Sequence, residues 1–276
     1  LLAAMTAAFT RTARPFDEWY EDQPDAIDFV QSSPDFYKLL HMPMGSGKSG
    51  VATAIANSQP LGERTCILTP TKPLQTQYMN TFDNFDLMWG RNEFTCNEKP
   101  SVQADRGACV MTGYGCPRRN GGCDYFDAKR VAGQSELLIS NLAYFLSVYR
   151  HAGGLGVWDT IIIDEADLLE DWLTMAMTIN IQRYMVSRVL PLANIPRTYE
   201  IPEWVEWARQ WWPLLQQQVA RWKGEMALPV EGDGSDDMGT AAPGASSLLR
   251  LTTSLERSVA AILAIPDTKE AWIVET

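Results

Sequence analysis

The chain has 276 residues, 46% of them hydrophobic and 21% charged, and a net charge of −11. That length suits one or two globular domains with a sizeable core. The acidic balance argues against a protein that holds nucleic acid by bulk charge alone, though not against a local basic groove, and no apolar run reaches the roughly 20 residues of a membrane helix. The opening LLAAMTAAF is apolar, but no basic segment precedes it and no small-residue cleavage pattern follows. A start on Leu1 reads as a fragment. The chain reads as cytoplasmic, where thiols stay reduced and clustered cysteines bind metal more often than they pair.

From about residue 16 to 95, helical and strand-like segments alternate, which predicts an α/β domain. The apolar run Phe36 to Met42 reads as a buried strand. GSGKS then turns the chain into the helical stretch SGVATAIA, the strand–loop–helix setting of a phosphate loop. Gly45 and Gly47 let backbone N–H groups face an anion, and the helix N-terminus adds partial positive charge. Lys48 would reach the β- and γ-phosphates of ATP and Ser49 would hold Mg²⁺, so the candidate phosphate-binding residues are Gly45, Ser46, Gly47, Lys48, Ser49 and Gly50. Met42 stands where the full pattern has its first glycine. The next strand is expected over Cys66 to Leu68, with Cys66 as buried filler. Thr69, Thr71 and Gln77 follow at its end as candidate contacts to a nucleic-acid backbone, and Pro73 can open the next helix.

Four of the five cysteines then fall in one irregular, glycine-rich stretch, Cys96, Cys109, Cys116 and Cys123, spaced C-x12-C-x6-C-x6-C. Structural zinc sites usually carry close C-x2–4-C pairs, which are absent here. Iron–sulfur clusters also take four thiolates, with more varied spacing. Zinc, a cluster, and no metal at all remain open on spacing alone. Seven basic and five acidic residues lie within 91–130, a local charge of +2 in a chain of −11. Arg118 and Arg119 are candidate phosphate contacts, with Tyr114 and Phe126 as stacking partners for bases; the plainer reading is a solvated loop over a packed phenylalanine. Further on, Ile161 to Ile163 reads as a strand ending in Asp164 and Glu165, where a carboxylate pair can hold Mg²⁺ and orient or deprotonate an attacking water. The remainder is helical and Trp-rich. Trp204, Trp207 and Trp211 share one helix face, a spacing that usually means core. Residues 231–247, rich in Gly, Ser, Asp and Pro, read as a flexible loop. His41 and His151 sit in no ligand-like spacing.

The order MPMGSGKS, TPTKPLQTQ, four cysteines, LLISNLAYFL, IIIDEAD resembles the iron–sulfur DNA helicases of superfamily 2, the XPD/DinG group, over roughly residues 16–172. The box reads DEAD, with Asp167 where that group usually carries histidine. The resemblance implies a P-loop, RecA-like parallel-sheet motor domain (residues 1–95 and 124–168) with an inserted iron–sulfur domain (96–123) and a helical arch-like region (169–276). It implies ATP, Mg²⁺ and a 4Fe–4S cluster on Cys96, Cys109, Cys116 and Cys123. Catalysis would fall to Lys48, Asp164 and Glu165, with 5′ to 3′ movement on single-stranded or forked DNA, no membrane, and a second motor domain missing from these residues. A larger repair or defence assembly is the implied setting. Two other readings stand beside it: a non-motor accessory protein that binds nucleotide and nucleic acid, and a zinc-binding regulator with a vestigial phosphate loop.

Overall fold

The computed structural model describes residues 19–20, 22–82, 84–110, 115–151, 154–227 and 245–267. The chain divides into two compact units: Leu1–Arg106 with Arg118–Met177, and Gly107–Pro117 with Thr178–Thr276. The expected flexible loop at 231–247 lies largely outside the described residues, as does Tyr114.

The first unit is built on a parallel sheet. In chain order its elements are α1 (Gln23–Ser32), α2 (Lys48–Asn57), β1 (Thr65–Thr69), α3 (Lys72–Thr81), β2 (Asp86–Met88), α4 (Asp124–Ala132), β3 (Leu137–Asn141), α5 (Leu142–His151), β4 (Thr160–Ile163) and α6 (Leu169–Met177). The strand order is β2-β3-β1-β4, with every pairing parallel. β1 is buried along its whole length, as the two-sided burial of a central parallel strand requires. Its register puts Thr69 beside Asn141 and Leu68 beside Ile163, so these strands end together at one edge of the sheet. Arg64, just ahead of β1, draws the other ends together. Its guanidinium donates to the carbonyls of Ser135, Val157, Ala132 and Leu155 and lies 4.0 Å from the Trp158 ring centre.

The expected strand over Phe36–Met42 is not formed, which corrects the sequence reading. The segment is irregular, with Phe36 88% and Tyr37 87% exposed. Only Leu40 and Met42 reach the core, packing partly against the cluster of Ile27, Val51, Ala54 and Ile55. An apolar run becomes a strand when its backbone finds a ladder partner, and β4 pairs only with β1 among the described residues. α2, by contrast, is buried from Val51 to Asn57, its small Ala and Val side chains allowing close approach to the sheet. Pro73 stands in the first turn of α3, where its missing N–H costs nothing.

The second unit holds α7 (Arg183–Val189), α8 (Ile201–Ala227) and α9 (Ala245–Ala264). Leu249, Thr252, Leu255, Val259 and Ile262 are buried along α9, and Val205, Ala208, Leu215 and Val219 along α8. Spacings of three, four and seven place each set on one helix face, apolar but for Thr252. Trp207 is buried, and Trp204 and Trp211 pack beside it on the same cluster. The tryptophan face is therefore core.

Candidate nucleotide site

The phosphate loop turns on two left-handed glycines, Gly45 at φ 79° and Gly47 at φ 76°. Such values are natural for glycine and strained for other residues. Helix α2 begins at the next residue; Gly50 and Val51 N–H donate to Gly47 O (2.9 and 3.2 Å), which leaves the N–H groups of Lys48 and Ser49 as first-turn donors without an intrahelical acceptor. The Lys48 ammonium folds back onto its own loop, donating to the carbonyls of Met42 (3.5 Å) and Pro43 (3.4 Å). The Ser46 hydroxyl also donates to Pro43 O, at 2.8 Å.

Gln23, at the start of α1, is a part of this site that sequence reading missed. Its side chain is buried. Its Oε1 accepts from Tyr20 N–H (3.0 Å), and its Nε2 donates to Ser46 O (2.8 Å) and Gly47 O (3.4 Å). The amide thus holds the loop's backbone from behind. A buried glutamine in an otherwise amphipathic first turn was the only available signal.

The acidic strand end lies on the other side of the site. Asp164 follows β4 and is half-buried. Its N–H donates to Leu68 O (2.9 Å), and its Oδ1 accepts from Glu165 N–H (3.0 Å). Its Oδ2 accepts from the hydroxyl of Tyr78 (3.0 Å) on α3. Tyr78 is fully buried. Burial first, and the Asp164 charge next, push the Tyr78 phenol well above its usual range, so it stays a donor. Glu165 is the only non-glycine residue with positive φ among the described residues (54°), and its carboxylate is exposed. Backbone strain of this kind gathers at functional sites. Asp167 lies exposed in the short 3₁₀ turn that follows.

ATP and Mg²⁺ fit these residues. Two left-handed glycines and a helix N-terminus form an anion cradle. Ser49 and Asp164 are hard oxygen donors of the kind Mg²⁺ takes beside phosphates. A cluster fits less well. Cys96, Cys116 and Cys123 are buried free thiols, and Lys99 N–H points at Cys96 Sγ (3.4 Å). Even so, no three His, Cys, Asp or Glu side chains gather in an arrangement that could hold a metal ion among the described residues. Cys96 and Cys123 belong to the first unit, Cys109 and Cys116 to the second.

The expected nucleic-acid contacts divide. Thr71 and Gln77 are exposed beyond the sheet edge, whereas Thr69 is fully buried with its hydroxyl turned to Thr71 O (3.2 Å), so it is not presented to a ligand. Asn141 holds this loop in place. Its Nδ2 donates to Pro70 O (3.1 Å), and its Oδ1 accepts from Ala143 N–H at the start of α5. Arg118 is paired with Glu98 (3.0 Å). Arg119 lies 5.3 Å from the Phe126 ring centre, and Arg91 is stacked 4.7 Å from that of Tyr125. Phe126 packs against the core, as the plainer reading holds. Burial, then the charges of Arg91 and Arg119, lower the Lys129 pKa, which marks a basic cluster at the base of the insert.

A parallel α/β sheet whose strand ends face a phosphate loop and an Asp–Glu pair defines a P-loop nucleotide-binding domain. The model of the DEAD/DEAH box helicase family matches residues 20–194, more than half of the chain, and the chain belongs to that family. No curated protein and no solved structure matches it. Membership implies ATP hydrolysis coupled to work on nucleic acid, with ATP and Mg²⁺ as the family's usual requirements. No helix among the described residues is long and apolar enough to cross a membrane.

Proposed function

We propose that this chain carries the ATP-binding motor domain of a DNA helicase of the iron–sulfur XPD/DinG kind, acting 5′ to 3′ on single-stranded or forked DNA. The observation that carries the nucleotide part of this reading is the pair of left-handed glycines, Gly45 and Gly47, at the head of α2, a helix that packs on β4, the strand that ends at Asp164.

In this reading the N–H groups of the loop and of the first turn of α2 hold the phosphate chain. Lys48 exchanges the Met42 and Pro43 carbonyls for the β- and γ-phosphates. Ser49 and Asp164 would hold Mg²⁺, which when bound would supply charge neutralisation at the phosphates. Exposed Glu165 orients a water for in-line attack on the γ-phosphorus and takes its proton, as the bond to the β-phosphate oxygen breaks. Thr71 and Gln77 contact the DNA backbone, joined by Arg118 and Arg119. A second motor domain supplied from outside these residues closes over the nucleotide and completes the charge stabilisation.

Single-strand-stimulated ATP hydrolysis by the full-length protein tests the motor. Wild type is expected to respond to DNA and Lys48→Ala to lose the activity; DNA-stimulated hydrolysis persisting in Lys48→Ala overturns the assignment. The iron–sulfur part rests on the order of the motifs and on four thiols in one insert. Iron and sulfide analysis after anaerobic purification checks it, and a colourless, zinc-containing protein removes it. Strand-displacement measurements separate a helicase from a non-motor accessory protein.

A further inference from the structure

We propose that Tyr78 is a positioning residue of the nucleotide site, holding the carboxylate of Asp164 in place for Mg²⁺. The inference rests on the reading of Lys48, Ser49 and Asp164 as an ATP site.

The ring of Tyr78 is fixed. It is 0% exposed and packs with Ala52 and Ala56 of α2, Ile67 of β1, Ile139 of β3, and Phe82 and Phe85. It is thereby lodged between the phosphate-loop helix and the sheet, with the Phe82 ring centre 5.9 Å away. Phe82 lies one turn further along in the same cluster and is equally buried. The cluster therefore accepts an aromatic ring with no hydroxyl, and packing alone does not call for a tyrosine at position 78.

The hydroxyl donates to Asp164 Oδ2 at 3.0 Å, a partner that belongs to the site. Asp164 Oδ1 is held separately by Glu165 N–H, and the Asp164 N–H by Leu68 O. Both carboxylate oxygens are thus oriented by groups of the chain, each keeping lone-pair capacity for another donor or a cation. Of the two carboxylate bonds, only that to Oδ2 comes from outside the strand end itself, and it comes from a ring packed in the same cluster as Ala52 and Ala56 of α2. Tyr78 therefore transmits the position of the phosphate-loop helix to the acidic strand end. Indirect support of this kind fixes ligand orientation in metal sites generally. No local sequence pattern marks the role, because Tyr78 and Phe82 at i and i+4 read as ordinary core.

Tyr78→Phe keeps the ring and removes the hydroxyl. The test uses the full-length protein and a fluorescent ATP analogue, with affinity measured in excess Mg²⁺ and again in EDTA, for wild type, Tyr78→Phe and Lys48→Ala. Circular dichroism establishes that each variant is folded. Tyr78→Phe is expected to bind the analogue in EDTA within about twofold of wild type. The tightening brought by Mg²⁺ should fall about five- to tenfold, the scale of one lost hydrogen bond to a charged group. The Mg²⁺ concentration for half-maximal hydrolysis should rise by a similar factor. An unchanged Mg²⁺ effect overturns the inference. So does an equal loss of affinity with and without Mg²⁺, which marks a purely structural tyrosine. Should Tyr78→Phe not fold, Tyr78→Met fills the same space without a hydroxyl and provides the second measurement, an unchanged Mg²⁺ effect in it again overturning the inference. Wild-type binding by Lys48→Ala instead overturns the ATP-site reading itself.

Discussion

Replacing Gly47 with alanine tests the phosphate loop on two terms that can be separated. The first is conformational: Gly47 sits at φ 76°, where an L-residue is disfavoured by about 1–2 kcal/mol. The second is a collision. A Cβ at position 47 falls 2.2 Å from Nε2 of Gln23. The amide cannot swing away freely, because it is buried and held at both ends, by Tyr20 N–H and by Ser46 O. Displacing it forfeits one or two hydrogen bonds at about 0.5–1.5 kcal/mol each. Gly45 is the internal control. Its φ is 79°, but a Cβ there meets nothing within 4 Å. Both substitutions gain about 0.4–1 kcal/mol through the stiffer unfolded chain, and this cancels in the difference. Gly47→Ala should therefore cost about 1–2 kcal/mol more than Gly45→Ala in urea unfolding followed by circular dichroism. It should also weaken ATP binding at least about tenfold, by moving the N–H groups that face the phosphates. In a double-mutant cycle, Gln23→Ala with Gly47→Ala should cost less than the sum of the two singles, since the collision is then gone. Equal costs at Gly45 and Gly47, or strict additivity with Gln23→Ala, would refute the reasoning.

Glu165→Gln keeps the shape of the exposed side chain and removes its basicity; hydrolysis should fall about 100-fold or more while nucleotide affinity stays within about threefold, measured by single-turnover phosphate release and equilibrium binding. Arg64→Lys keeps the charge but loses the planar fork that meets four carbonyls, and should cost about 2–4 kcal/mol in urea unfolding, with a cost below about 1 kcal/mol contradicting the clamp. The phenols of Tyr78 and Tyr144 are raised in the folded state, in each case chiefly by burial. Protonated folded phenols contribute stability that is intact below the ordinary tyrosine value of about 10 and is lost as pH rises beyond it, because the unfolded chain then sheds those protons. Urea midpoints should thus hold from pH 8 to about 10 and fall above it, with a shallower fall in Tyr144→Phe.

Short-range signals made part of this protein legible. GSGKS needs two glycines and a following helix, and IIIDEAD needs an apolar strand and a turn; both are fixed by neighbours in the chain. The buried run at Cys66–Leu68, the helix opening at Pro73 and the packed tryptophan face follow from residue type and period in the same way. Where partners lie far apart in sequence, local pattern carried no information. Phe36–Met42 has the composition of a strand, but pairing depends on what lies beside β4, and there the segment stays irregular and exposed. Thr69 resembles Thr71 on paper; Thr69, the last residue of β1, is buried beside Asn141, whereas Thr71 lies beyond the strand at the start of α3 and is exposed. Four cysteines in one insert suggest a common ligand, yet spacing does not say whether the sulfurs converge, and the described residues hold no such group. The sequence alone determined which residues can carry phosphate chemistry. Only the tertiary structure decided that Gln23 props the loop and that Tyr78 holds Asp164, because those bonds span 23 and 86 residues and exist only once α1 has packed on α2 and α3 on the sheet.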